Sequence, residues 1–262
     1  MKNNIKTIWK IIVILIAAGL ILAIIGFSLG ASRSLYIDRT GVHVSGNETT
    51  YISEHDLASF SNIVIDAGFI DVEFFSSNAY GIEISSDNAD LRWTVESDTL
   101  TVSLLRSSRV QIMSFDFSSS NRNYIRVLIP DDAIFDTVDA RTSSGDIKIG
   151  DIKATSVEIN STTGNIIANN IVSLRANVQT TSGNIRLSGD FFGNTEVHAR
   201  TGDVRVSASG DKNDYSFRLS TRTGTIRSDG ERLSNEIADR PTRENHISIT
   251  TTSGNIEVNF GN

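Results

Sequence analysis

Thr180–Ile185 reads Thr-Thr-Ser-Gly-Asn-Ile, and Thr251–Ile256 repeats it without a change. Four relatives of this hexamer stand in the same half of the chain: Thr142–Ile147, Ser161–Ile166, Ala199–Val204 and Thr221–Ile226. Their glycines, Gly145, Gly164, Gly183, Gly202, Gly224 and Gly254, are 19, 19, 19, 22 and 30 residues apart. Equal spacings followed by lengthened ones describe one structural unit with loop insertions.

Alignment on the glycine exposes a core. Seven residues before it stand Val138, Val157, Ala176, Thr195, Phe217 and Ile247; five before it, Ala140, Ile159, Val178, Val197, Leu219 and Ile249. Two after it stand Ile147, Ile166, Ile185, Val204, Ile226 and Ile256; four after it, Ile149, Ala168, Leu187, Val206, Ser228 and Val258. Of these 24 positions 22 are apolar, with mostly polar residues between them. Period-two alternation of β-branched residues marks half-buried strands. Each unit therefore reads as a strand, a Thr/Ser-Gly-Asx turn, a second strand and a looser return. A propeller blade needs roughly 40–50 residues. The spacing instead predicts an all-β parallel β-helix, a β-solenoid with 19-residue rungs, in which equivalent residues stack at ~4.8 Å. Asp146, Asn165, Asn184, Asp203 and Asn255, each following a turn glycine, predict a hydrogen-bonded Asx ladder rather than a calcium site. The charged stretch Asp229–Asn245 reads as a surface loop.

The rest of the 262 residues is read outward from these rungs. Ile11 to Ala31 is a run of 21 residues without a charge, preceded by Lys2, Lys6 and Lys10. At 1.5 Å per residue such a helix spans roughly 30 Å, the thickness of a bilayer core. The run exceeds the ~7–15 residues of a signal-peptide core, which favours a retained anchor over cleavage near Ser28-Leu29-Gly30. The positive-inside rule places residues 1–10 in the cytoplasm, 11–31 in the membrane as a single pass and everything after them outside. Residues 32–62 read as a juxtamembrane stalk, 63–130 as irregular β structure and 131–262 as the regular solenoid. Within the second of these segments, Asp66–Ile70 looks like a degenerate turn of the later type.

Chemistry is sparse. Cysteine is absent, which excludes disulfides, thiolate metal sites and thiol catalysis. No nucleophile elbow, zinc-protease helix, P-loop or dinucleotide-binding glycine pattern occurs. No cofactor, metal site or catalytic residue is expected. Beyond residue 31 the chain carries 21 basic against 31 acidic side chains, which argues against nucleic acid as a partner. Glu158 and Glu196 share a register two rungs, or about 9.6 Å, apart, within the range of an inverting carboxylate pair. A polysaccharide-active β-helix enzyme is therefore one alternative function.

One outward stripe differs. Three residues after the glycines stand Lys148, Ile167, Arg186, Arg205, Arg227 and Glu257, with Arg200 and Arg222 in the adjoining turns. Stacked like charges destabilise a sheet unless they are paired or bind an anion. Arg186, Arg200, Arg205, Arg222 and Arg227 are thus the candidate ligand residues, for an anionic cell-wall polymer or an envelope protein.

The N-terminal apolar segment, the entry Leu128-Ile129-Pro130 and the repeated Thr-Thr-Ser-Gly-Asn-Ile rungs together resemble the putative-adhesin β-strand-repeat domain, a family of unknown function. The likeness covers roughly residues 60–262 and lies in the rungs. It implies a membrane protein of Gram-positive bacteria, similar to LiaG-like proteins near envelope-stress systems. It carries over no catalytic residue. The reading it favours is a non-enzymatic, membrane-anchored extracytoplasmic binding module. A sensor or accessory subunit of an envelope stress-response complex is the other alternative.

Overall fold

The computed structural model describes residues 9, 12–19, 21–22, 34–38, 41–44, 49–87, 91–104, 113–116, 123–234, 236–238 and 243–261. Trp9, residues 12–19 and residues 21–22 are helical. Among the described residues no helix is long and apolar enough to cross a membrane. The remainder of the 11–31 run lies outside the described residues.

The strands in chain order are β1 (Ser34–Asp38), β2 (Gly41–Val44), β3 (Thr49–His55), β4 (Asn62–Asp66), β5 (Asp71–Ser77), β6 (Gly81–Asp87), β7 (Leu91–Glu96) and β8 (Thr99–Leu104). They continue with β9 (Met113–Asp116), β10 (Tyr124–Pro130), β11 (Ile134–Thr142), β12 (Ile147–Gly150), β13 (Lys153–Thr163), β14 (Ile166–Ser182) and β15 (Ile185–Thr201). The last are β16 (Val204–Ala208), β17 (Tyr215–Thr223), β18 (Ile226–Ser228), β19 (Glu231–Leu233), β20 (Glu236–Ala238), β21 (Asn245–Ser253) and β22 (Ile256–Phe260). Two compact units result. One comprises residues 1–48 and 106–121 and holds a three-stranded antiparallel sheet in the order β2-β1-β9. The other comprises residues 49–105 and 122–262 and is the solenoid.

The solenoid is built from two ladders of strands that share one apolar core. The first runs β7-β8-β4-β11-β13, then the second halves of β14 and β15, then β21-β17-β20. The second runs β3-β6-β10-β5-β12, then the first halves of β14 and β15, then β16-β22-β18-β19. All 24 aligned interior positions are buried, including the polar exceptions Thr195 and Ser228.

The glycine turns hold the two ladders together. A Cβ on Gly164, Gly183, Gly202, Gly254 or Gly224 would overlap the carbonyl oxygen of the glycine one rung below. At Gly145 the obstructing carbonyl is that of Ile70, so the degenerate turn at 66–70 does continue the series. Beside this contact runs an unbroken Asx ladder. The amide N–H groups of Asp146, Asn165, Asn184, Asp203, Asn255 and Thr225 donate in turn to the side-chain oxygens of Asp71, Asp146, Asn165, Asn184, Asp203 and Asn255, at 2.7–3.1 Å. On the inner side Thr142, Ser161, Thr180, Thr251 and Thr221 donate their hydroxyls to carbonyls of the rung below. Ala199 interrupts that second ladder.

The rungs do not stack in chain order. The C-terminal rung, β21–β22, lies between the rungs of β15–β16 and β17–β18, so the glycine order in space is 145, 164, 183, 202, 254, 224. The 22-residue spacing explains this. Its three extra residues reach up to ~10 Å, more than the ~4.8 Å of one skipped rung. The crossing segment after β16 includes a 3-10 turn at Lys212–Asp214. The longer 30-residue spacing then accommodates β19 and β20, which pair antiparallel with the outermost strands β18 and β17. Where the sequence reads a surface loop, β19 and β20 thus form an edge cover, which protects exposed strand edges from further pairing. The opposite end shows the same exchange. β4 and β5 precede β8 and β10 in the chain, yet β8 and β10 lie outside them, covered by antiparallel β7 and β6. Residues 32–62, read as a stalk, contain three strands, and β3 joins the solenoid.

A polar clasp fastens the inserted rung. Lys212 Nζ donates to Asp229 Oδ2 and Ser228 Oγ, each at 2.9 Å, and lies 5.8 Å from the Phe260 ring centroid. Asp229 Oδ1 accepts the Phe260 N–H at 2.9 Å. The crossing segment, the outer rung and the inserted rung thus meet at one carboxylate. Asp229→Ala is expected to speed amide exchange in β22 before β13–β15, measured by hydrogen–deuterium exchange. Gly183→Ala, which meets the carbonyl of Gly164, is expected to cost about 3 kcal/mol or more in chemical denaturation. Gly150→Ala, with open space around it, is expected to change stability by less than about 0.5 kcal/mol.

Candidate functional site

The parallel register converts the outward stripe into a row that crosses the whole second ladder. From one end to the other it reads Ser53, Glu83, Arg126, Glu73, Lys148, Ile167, Arg186, Arg205, Glu257, Arg227, Arg232. Glu257 is the last of these in the chain but stands between Arg205 and Arg227 in space. The continuous basic stack expected from the sequence is therefore broken by an acid.

The N-terminal half of the row is paired. Arg126 reaches Glu83 at 3.5 Å and Glu73 at 3.1 Å, while Lys148 reaches the other oxygen of Glu73 at 3.0 Å. The Arg126 guanidinium also lies 4.0 Å over the Tyr124 ring and 5.3 Å from that of Phe75. Burial pushes the Glu73 carboxyl up, but hydrogen bonds from Lys148 and Arg126 outweigh it and hold the group below its ordinary value.

The C-terminal half borders a groove of about 580 Å³. Arg186, Arg205, Arg227 and Glu257 line it together with Asn184, Asp203 and Asn255 of the Asx ladder. Arg205 is engaged by Glu257 at 2.8 Å, and this bond holds the Glu257 carboxyl below its ordinary value. Neither Arg186 nor Arg227 makes an ion pair among the described residues. The groove thus gathers three of the five candidate arginines. Arg200 lies elsewhere, in a second groove of about 420 Å³ with Arg141, Gln179 and His198. Arg222 is exposed in its turn. The rung of Thr252 separates it from Arg200, because Thr251 and Ser253 pair with residues of both turns.

The carboxylate pair fares differently. Glu158, Asn177 and Glu196 do follow one another in register. However, Glu158 is held by Arg141 at 3.0 Å and by Asn160 at 3.0 Å. Glu196 accepts from the amide of Asn194 at 2.9 Å. Neither lines either groove.

Sequence reasoning missed Glu73, Glu83, Arg126 and Arg232 as members of the row. The first three come from irregular strands without the hexamer, and Arg232 enters through the antiparallel edge cover. The spacings of 22 and 30 were the one signal that the last rungs deviate.

Comparison with known proteins follows the rungs. The Toastrack DUF4097 family model matches residues 60–194 and 149–259. No curated protein matches the chain. Among solved structures it is similar to a putative cell adhesion protein from Clostridium sporogenes, with 12% identity over 80% of this chain and 100% of that one and a TM-score of 0.46. It is also similar to a putative adhesin from Bacteroides fragilis, with 16% identity, 81% and 98% coverage and a TM-score of 0.44. A putative lipid binding protein from Parabacteroides distasonis shares 13% identity, with 81% and 98% coverage and a TM-score of 0.33.

Glu73, Glu257 and Asp229 all have lowered folded-state values. A lowered value contributes stability above the unfolded-state pKa, and this is lost as pH falls through the folded one. Acid titration below about pH 4 is expected to loosen the two ends of the solenoid before its middle. Glu73→Gln should lower stability at pH 7 and flatten its acid dependence, read by thermal denaturation across pH 3–7.

Proposed function

The chain belongs to the Toastrack DUF4097 family, and we propose that it is a non-enzymatic binding module anchored in the cell membrane through residues 11–31. Its solenoid faces the cell exterior and binds an envelope component. The observation that carries this reading is the groove of Arg186, Arg205 and Arg227 on a rigid, repeat-built face. Rung-to-rung hydrogen bonds fix those side chains at regular intervals, which suits recognition of a repeating partner. The reading places no reacting group in the groove.

The membrane placement draws on the first residues. Trp9, Ile12 to Ile16, Ile21 and Leu22 are helical and exposed. An apolar helical surface preceded by three lysines is the composition of an inward-anchored span. The net negative charge of the remainder would keep it off an anionic bilayer face and hold the solenoid away from the lipid.

Full-length chain carrying a C-terminal epitope is the test. It should sediment with membranes after alkaline washing, and external protease should remove the epitope from cells whose outer layers are permeabilised. Deleting residues 11–31 should move it to the soluble fraction. An epitope that resists protease until the membrane is lysed would overturn the placement. In neutral detergent the full chain should also co-sediment with purified cell-wall material, and failure to do so would overturn the binding role.

A further inference from the structure

The charge row has a rule and one departure from it. From Glu83 to Lys148 the signs alternate, and each neighbouring pair is within ion-pair distance. After the neutral Ile167 the alternation fails. Arg186 and Arg205 are neighbours in register, and so are Arg227 and Arg232. This half of the row sets four guanidiniums against one carboxylate, Glu257, whose register neighbours are Arg205 and Arg227. That carboxylate is committed, because Oε2 accepts from Arg205 at 2.8 Å and Oε1 from the Asn259 amide at 3.3 Å. The groove's other acid, Asp203, is turned into the ladder, where Oδ1 accepts from the backbone N–H of Asn255 at 2.7 Å and its amide at 3.2 Å.

One ladder amide differs from its neighbours. The Nδ2 groups of Asn165 and Asn255 donate to the aspartates below them. Asn184 uses its Oδ1 to accept from the N–H of Asp203 at 2.9 Å, and no hydrogen bond of its Nδ2 is found among the described residues. Asn184 stands two residues before Arg186 and lines the same groove. A neutral donor and a guanidinium with no ion pair among the described residues therefore border the same groove, followed along the solenoid axis by Arg205 and, beyond Glu257, by Arg227. Adjacent rungs are ~4.8 Å apart, so Arg186 and Arg227 are separated by about 14 Å.

We propose that this half of the row is an oxyanion site, and that its ligand is a linear polymer whose anionic groups recur along its length. The polymer lies along the solenoid axis. One oxyanion occupies the position beside Arg186 and Asn184, where the alternating row lacks an acid, and another meets Arg227 and Arg232. Planar guanidiniums accept two oxygens of a phosphate or carboxylate at once, which suits either form of the group. This inference rests on the reading of the solenoid face as a binding surface, and not on its membrane placement.

The row itself supplies the decisive variant. Ile167→Glu puts a carboxylate next to both Lys148 and Arg186, restores alternation and offers Arg186 an internal partner. It should raise or preserve the melting temperature while weakening polymer binding. A substitution that merely damaged the sheet would lower both. Ile167→Gln is the uncharged control and should leave binding unchanged.

The test uses the full-length chain in an uncharged detergent, titrated calorimetrically with inorganic polyphosphate and separately with polyglutamate, at low and at high salt. Saturable binding that weakens with salt is expected for at least one polymer. Arg186→Gln and Arg227→Gln should each weaken it by about tenfold, and Arg222→Gln, outside the row, should not. Binding of polyphosphate alone assigns the site to phosphate groups, and binding of polyglutamate alone to carboxylates. The inference is overturned if neither polymer binds at low salt, or if Ile167→Glu or both arginine variants bind like the unaltered chain. If purified cell-wall material still sediments with the chain in that case, the binding role stands and this site alone falls.

Discussion

The approach of one glycine to the carbonyl of the glycine beneath it sets the geometry of the solenoid. No side chain fits between them, so the two strands of each rung are drawn onto the same turn below. The Asx ladder then fixes the rotation of each turn, because every N–H after the glycine finds a side-chain oxygen one rung down. Neither contact exists within a rung. A single rung has no means of holding its own turn, and stability is a property of neighbours. The same contacts hold the outward residues at a fixed pitch, and so any site on the face inherits its spacing from the backbone.

Much of this was legible in the hexamers. The glycine alignment identified 24 interior positions, and all are buried, because period-two alternation in a two-sided solenoid leaves no other arrangement. The Asx residues were legible as a ladder for a similar reason: their identity repeats wherever their bonding does. What the alignment could not supply was the vertical order. A strand's partner is set by where the chain can reach, and a 22-residue step reaches past one rung as easily as 19 residues reach the next. Glu257 therefore seemed to end the stripe, whereas it interrupts it. The first rungs were hidden for another reason. Ile70 offers its carbonyl to Gly145 without being a glycine itself, so the turn below Gly145 carries no hexamer to align.

The exchange of rungs at both ends answers a problem that parallel solenoids share. Their terminal strands present unpaired edges that invite association. Here the outermost rung at each end is followed or preceded in the chain by antiparallel strands that lie across its edge. β7 and β19 are joined to the strands they cover, β8 and β18, by the short turns that an antiparallel pair allows. The rung left over must then fit inward, and the space for it is the one the crossing segment skipped.

The site follows from that insertion. Asn255, Ile256 and Glu257 line the arginine groove, and all three arrive with the C-terminal rung. Without it, β16 and β18 would have no strand between them, and Arg205 would lack its acid. The clasp of Lys212, Asp229 and Phe260 closes over the same rung from its far end. The groove therefore depends on the inserted C-terminal rung. A chain that has not completed its C-terminal rung presents neither the spacing nor the charge pattern, and only the finished solenoid sets Arg186 and Arg227 three rungs apart on one face.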